Sequence, residues 1–140
     1  MGGKDGVHAA GARTNPAEAK KFIEETDADL LAVAVGSSHA MTTRDAKLDF
    51  ELIKDLAAAV PVPLVLHGSS GVSDPDIQEA IRAGMRKVNI ATHLNNVFTA
   101  AVRETLTADT KLVDTRKYIK PAREAVTVET ARLLKVLDLQ

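Results

Sequence analysis

Three short apolar runs constrain this chain more than any other feature. They cover residues 29–35, 62–66 and 87–91, and end at Gly36, at His67-Gly68 and at Thr92. Each is too short for a typical helix and is closed by glycine or polar residues. We read all three as buried strands. Pro63 fits only at the beginning of its strand, because proline cannot donate to a ladder. Helical patterns alternate with these runs. Asn15-Pro16-Ala17-Glu18 supplies an N-cap, a proline at the first helical position and a glutamate at the third. A helix over residues 16–25 follows. Phe50, Ile53, Leu56, Ala57 and Val60 mark a second apolar face, and Ser73-Asp74-Pro75 opens a third helix that Gly84 closes. Leu94, Val97, Phe98, Ala101, Val102 and Leu106 form the stripe of a fourth. A last helix is expected from about Pro121, carrying Val126, Leu133, Leu134 and Leu137. Residues 107–120 are polar and read as a loop. Strands separated by helices must run parallel with right-handed crossovers. The fold class is therefore α/β, with an aliphatic interior whose strands are buried on both faces.

Three strands make a small sheet for an independent α/β domain. A (β/α)₈ barrel needs eight strands and roughly 250 residues, and this chain has 140. The expectation is a sheet completed by another chain, or a part of something larger. Composition narrows the function. Eighteen Lys+Arg against nineteen Asp+Glu give a net charge of −1, so nothing argues for a nucleic-acid or membrane partner. With no cysteine, thiolate chemistry and disulfides are excluded. Aromatic residues are 3% of the chain, too few for a stacking platform. No apolar run approaches the roughly 18 residues of a membrane span, and no signal-peptide pattern opens the chain. A cytoplasmic protein is expected.

The informative polar residues gather at the C-terminal ends of the strands, where α/β folds assemble their sites. His39 and His67 are metal candidates, since neutral imidazole suits zinc. The competing reading is that each merely caps a strand. A catalytic zinc usually takes three protein ligands, and no third stands out. Gly68, Ser69, Ser70 and Gly71 resemble an anion cradle built from converging N–H groups, or else a tight turn needing glycine. Ala91 and Thr92 could complete that cradle at the next helix start, or Thr92 could be an ordinary N-cap. Asn89 interrupts an apolar strand, and a buried amide must find a partner or face a ligand. His8 and His93 read as surface or structural residues. Lys111, Arg116, Lys117, Lys120 and Arg123 read as a solvated face.

Four segments, DLLAVAVGSSHA (29–40), KLDF (47–50), VPLVLHGSSG (62–71) and KVNIAT (87–92), together resemble the class II, zinc-dependent ketose-bisphosphate aldolases. The resemblance covers nearly all of this chain and about the C-terminal half of a family member. It implies one domain over residues 1–140, the C-terminal part of a (β/α)₈ (TIM) barrel with strands six to eight. It implies reversible cleavage of fructose or tagatose 1,6-bisphosphate to dihydroxyacetone phosphate and glyceraldehyde 3-phosphate. His39 and His67 correspond to two zinc ligands, and the family also allows a monovalent cation. Gly68, Ser69 and Ser70 correspond to the phosphate loop, with Ala40 beside it. Asn89, Ile90, Ala91 and Thr92 correspond to the segment that finishes that site, Asn89 also contacting the enediolate. Arg116 resembles an arginine that reaches a neighbouring subunit's distal phosphate. A homo-oligomer, dimer or tetramer, is implied. Two departures stand out. Ala40 replaces the family's glycine, so its methyl group could crowd the phosphate. The family's catalytic aspartate and its adjacent zinc histidine precede the segment where this chain begins, and Met1-Gly2-Gly3 resembles the loop after the fifth strand. The isolated chain is therefore expected to be inactive. The alternative is a non-catalytic fragment that binds a sugar phosphate or docks to a partner barrel.

Overall fold

In the computed structural model, residues 12–38 and 43–139 are described. Asn15 caps the first helix, α1 (Pro16–Thr26): its Oδ1 accepts from the N–H groups of Ala17 (2.9 Å) and Glu18 (3.2 Å). The chain continues through β1 (Leu31–Val33), α2 (Phe50–Ala59), β2 (Leu64–Leu66), a 3₁₀ turn (Ser69–Gly71), α3 (Asp74–Ala83) and β3 (Met85–Val88). Two long helices, α4 (Thr92–Ala108) and α5 (Thr115–Leu137), end it. The chain divides into two units, Met1–Ile90 and Ala91–Gln140.

In the first unit the three strands pair in parallel, in the order β1-β2-β3. Helices intervene between them, as the alternating pattern requires. Leu31, Val33, Val35, Leu64, Leu66 and Met85 from the sheet region pack with Ala19, Ile23, Ile53, Leu56, Ala80 and Ala83 from the three helices. Among the described strands only β2 is buried along its whole length. Ala32 in β1 and Arg86 and Lys87 in β3 are exposed, which corrects the expectation that all strands are buried on both faces.

Each strand is shorter than the apolar run that announced it, because pairing rather than composition defines a strand. Pro63 precedes β2, and its carbonyl accepts from Leu31 N–H at 3.1 Å. The third strand is also displaced. It starts at Met85, directly after the Gly84 cap of α3, and ends at Val88 instead of running over 87–91. Leu64 pairs with Met85 but Val65 pairs with Lys87, so Arg86 is an extra residue, a β-bulge. The Arg86 guanidinium turns back to the carbonyls of Ile81 (3.2 Å) and Met85 (3.1 Å). Beyond the bulge Val88 packs against the core while Lys87 faces away. Asn89 lies one residue past the strand, half-buried rather than buried. Its N–H still donates to Leu66 O at 3.0 Å.

The second unit corrects two further expectations. The loop is confined to residues 109–114, and α5 begins at Thr115 rather than near Pro121. Asp114 is its N-cap, accepting from Arg116 N–H at 3.1 Å. Pro121 lies inside the helix. A proline there removes one helical hydrogen bond, a loss that a helix of 23 residues absorbs. Thr92 is not an N-cap: Ala91 holds that position, with no side-chain bond. The α4 stripe is half-buried except for exposed Leu106, whereas α5 buries Ala122, Leu133 and Val136.

One side-chain cluster ties α4 to α5. His93 Nε2 lies 2.6 Å from Glu129 Oε1. Arg132 donates through Nη2 to the same oxygen (2.7 Å) and through Nε to Oε2 (2.9 Å). The Arg132 guanidinium, and after it His93, hold the Glu129 carboxyl at about 2, below its ordinary 4.5. A depressed carboxylate stabilises the fold above its unfolded pKa and loses that contribution as pH falls through its folded value. We expect Glu129→Gln to cost about 1–2 kcal/mol at neutral pH, after allowance for solvent screening of a partly open pair. The gap from wild type should close as pH falls from about 4.5 to about 2. Urea unfolding at stepped pH reads this directly, and a gap unchanged down to the acid end would show that the carboxylate charge plays no part.

Candidate functional site

The first unit brings polar residues together at the C-terminal ends of its strands. His67 follows β2 directly, and its carbonyl accepts from Ser37 Oγ at 2.5 Å. The next residue, Gly68, adopts φ +66°. A Cβ there would stand 2.5 Å from Ser38 O and 2.7 Å from Ser38 C. No side chain fits in that space, so the loops after β1 and β2 press backbone against backbone. Gly36 makes a matching contact. With φ +118°, its Cβ would lie 2.2 Å from Lys47 O, which pins the KLDF segment to the end of β1. Asp49 of that segment caps α2, accepting from Leu52 N–H at 3.0 Å.

After Gly68 the chain makes its 3₁₀ turn. Gly71 N–H donates to Gly68 O at 3.2 Å and Val72 N–H to Ser69 O at 3.1 Å. Ser69 is 1% exposed, and its hydroxyl donates inward to Leu66 O at 3.2 Å. In this arrangement the Ser69 hydroxyl braces the turn, and an anion would be met by the backbone. Arg44 fastens the far side. Its Nε donates to Val72 O at 2.8 Å, and its Nη2 pairs with Asp74.

Asn89 sits beside His67 at the next strand end, with Nδ2 3.4 Å from His67 Nε2. Lys87, two residues earlier on β3, donates from Nζ to Asn89 Oδ1 at 2.8 Å. The structure thus brings His67, Gly68, Ser69 and Asn89 together, with Ser70 in the same turn. Ile90, half-buried, ends the first unit, while Ala91 and Thr92 open the second at the start of α4. Arg116 is exposed on α5 and forks onto Asp114 through Nε (3.0 Å) and Nη2 (2.9 Å). That pairing raises the arginine pKa and holds the Asp114 carboxyl below its usual range. Lys111, Lys117, Lys120 and Arg123 are exposed, as a solvated face should be. His93 is structural, in the Glu129 cluster. His8, His39 and Ala40 lie outside the described residues.

Among the described residues no group of three His, Cys, Asp or Glu is placed to hold a metal ion. His67 is a donor of the right kind for zinc, but one imidazole falls short of the three ligands usual at catalytic zinc. Two residues that organise this region escaped the sequence reading. Thr14 is buried and accepts from Ala34 N–H through Oγ1 at 2.8 Å, fastening the approach to α1 against the end of β1. Lys87 was hidden because a charged residue in a short run looks like solvent-facing filler. The signal was its two-residue spacing from Asn89, which puts both on one side of a strand.

Known structures share this fold. The YdjI aldolase from Escherichia coli K12 is 37% identical, with a TM-score of 0.74 over 89% of this chain and 44% of that protein. A candidate fructose-1,6-biphosphate aldolase from Coccidioides immitis is 29% identical, with a TM-score of 0.79 over 99% of this chain and 49% of that one. Fructose-bisphosphate aldolase from Campylobacter jejuni, at 21% identity, shares the fold with a TM-score of 0.76 over 99% of this chain and 49% of its own. The chain thus spans less than half the length of each of these proteins. The family model for class-II fructose-bisphosphate aldolase matches residues 1–140, and the chain belongs to that family.

Proposed function

We propose that this chain forms part of a class II ketose-bisphosphate aldolase barrel, contributing strands six to eight and much of the substrate site. The observation that carries the reading is the cluster of His67, Gly68 and Asn89 at adjacent parallel strand ends. The reaction is reversible cleavage of a ketose 1,6-bisphosphate, fructose or tagatose, into dihydroxyacetone phosphate and glyceraldehyde 3-phosphate. The backbone of the Gly68–Ser70 turn would cradle the phosphate, since close approach of N–H groups to an anion needs a bare backbone. The Asn89 amide would donate to oxygen as negative charge develops on the substrate, a preorganised donor of the oxyanion-hole kind. His67 and His39 would hold zinc, with a further ligand from outside the pair. When bound, that ion polarises the substrate carbonyl. A homo-oligomer in which Arg116 serves a neighbouring subunit, and a cytoplasmic location, belong to the same reading. No described helix is long and apolar enough to cross a membrane.

Calorimetric titration of zinc into the chain tests the metal half. His39→Ala and His67→Ala should each weaken binding by at least about tenfold, since losing even an outer-sphere partner costs 10–100-fold. Unchanged affinity in both would remove zinc from the proposal. A coupled aldolase assay tests the rest. Turnover is expected when the chain is co-expressed with the N-terminal part of a family member, and not from the chain alone. Losing a general acid/base costs about 10²–10⁴ in rate. Turnover by the chain alone would place the proton-transferring group among its own residues.

A further inference from the structure

We infer that a short aliphatic monocarboxylate binds at the opposite end of the sheet from the candidate site, its carboxylate on Arg86 and its tail in the apolar cleft that Arg86 lines. The cleft holds about 240 Å³ and lies where β2 and β3 begin. Residues 60–64, leading into β2, line one part of it, and Ala57 and Gly84 another. Those two are so close that a Cβ at Gly84 would stand 2.5 Å from Ala57 Cβ. Pro61 and Pro63 have fixed φ angles and no N–H to offer, so their stretch of wall is preformed and apolar, as ligand pockets usually are. The N–H groups of Val60 and Gly84 are already spent, the first on Leu56 O at 3.1 Å, the second on Ala80 O and Ile81 O at 3.1 and 3.2 Å. Arg86 carries the only polar side chain in the lining.

The β-bulge is what brings an arginine here. Leu64 pairs with Met85 and Val65 with Lys87, so Arg86 stands outside the ladder, and bulges re-aim side chains in this way. Its Nη1 donates to Ile81 O and Met85 O at 3.2 and 3.1 Å, which anchors the guanidinium beside the cleft. Among the described residues no carboxylate pairs with Arg86, and nothing accepts from its Nε or Nη2. Those two nitrogens form an edge that can take a carboxylate in two parallel bonds. Arg86 is exposed, so a carboxylate reaches it from solvent, and the apolar walls call for a tail. At roughly 30 Å³ per heavy atom, the share of a water in the liquid, the cleft takes about eight heavy atoms, the size of hexanoate.

The test titrates sodium hexanoate into the ¹⁵N-labelled 140-residue chain, at constant ionic strength and a pH of about 7 where the carboxylate is ionised. Saturable shifts should centre on the N–H groups of Val62, Leu64 and Gly84 and on Arg86 Nε–H. Acetate, which lacks the tail, should bind at least about tenfold more weakly, since each buried methylene is worth about fourfold. Octanoate should gain less than about fourfold over hexanoate, because its last two carbons lie outside the cleft. Arg86→Met should weaken hexanoate at least about tenfold, the cost of losing a hydrogen bond to a charged group. If Arg86→Met does not fold, Arg86→Gln replaces it: the amide keeps a donor for the Ile81 and Met85 carbonyls but no charge, and the same loss is expected. No saturable shift with hexanoate, acetate as tight as hexanoate, an affinity climbing about fourfold per methylene through octanoate, or undiminished binding to the arginine variant would each overturn the inference. Neither metal nor sugar phosphate enters the measurement, so the result stands apart from the aldolase reading.

Discussion

Replacing Gly68 with valine should cost about 2–5 kcal/mol, measured as the shift in urea unfolding of the 140-residue chain. Two terms add. A residue with a Cβ pays about 1–2 kcal/mol in the left-handed region, and Gly68 sits at φ +66°. The new Cβ would also meet Ser38 backbone at 2.5 Å. Backbone cannot swing aside as a side-chain tip can, so the loops after β1 and β2 must part, and overpacking of this kind costs about 1–3 kcal/mol. The functional consequence follows from the same contact: once the loops part, the turn that would cradle a phosphate no longer has its backing. A Gly68→Val chain within about 0.5 kcal/mol of wild type would show that the two loops are not pressed together.

Leu66→Ala should be as damaging for a different reason, at about 2–5 kcal/mol. Leu66 is fully buried on the central strand, so truncation leaves a cavity that neighbours on both sides cannot fill. Domains of this size hold only about 5–15 kcal/mol in all. The carbonyl of Leu66 also receives the Asn89 N–H and the Ser69 hydroxyl, so loosening this strand disturbs both of their anchors. Leu134→Ala is the contrast. Leu134 is 60% exposed, and surface truncations cost about 0.5 kcal/mol or less. Equal losses from the two leucines would contradict the core described here.

Much of this was legible in the order of residues, and the reasons are specific. Asn15-Pro16 and Ser73-Asp74-Pro75 marked helix starts because capping is local chemistry, complete within four residues. The strands were visible as apolar runs but their limits were not, since a strand extends only as far as its partner does. The third strand was read two residues late. Its first residues, Met85-Arg86-Lys87, contain two adjacent charges that no alternating pattern accommodates, and only the pairing with β2 reveals that one of them is extra. The last helix was read six residues late because Pro121 imitates a helix start, while Asp114 is the cap in use. The site followed a similar division. His67, Gly68 and Asn89 stood out because strand ends in parallel sheets collect function. Lys87 did not, because its importance depends on which side of the strand it occupies.

The extra residue in β3 has a consequence for how this segment tolerates changes of length. In an evenly pleated strand starting from Met85, odd-numbered residues would all share the core side, and Lys87 and Asn89 would be driven into the aliphatic interior while Val88 met solvent. Arg86 inverts that parity. Deleting Arg86 therefore leaves the phase of everything after it intact: Met85 and Val88 still face the helices, and Asn89 still faces His67's side. Deleting Val88 instead swings Asn89 to the opposite side and breaks its alignment with His67. Position 86 is thus where this strand can lose a residue without dismantling the strand end that follows.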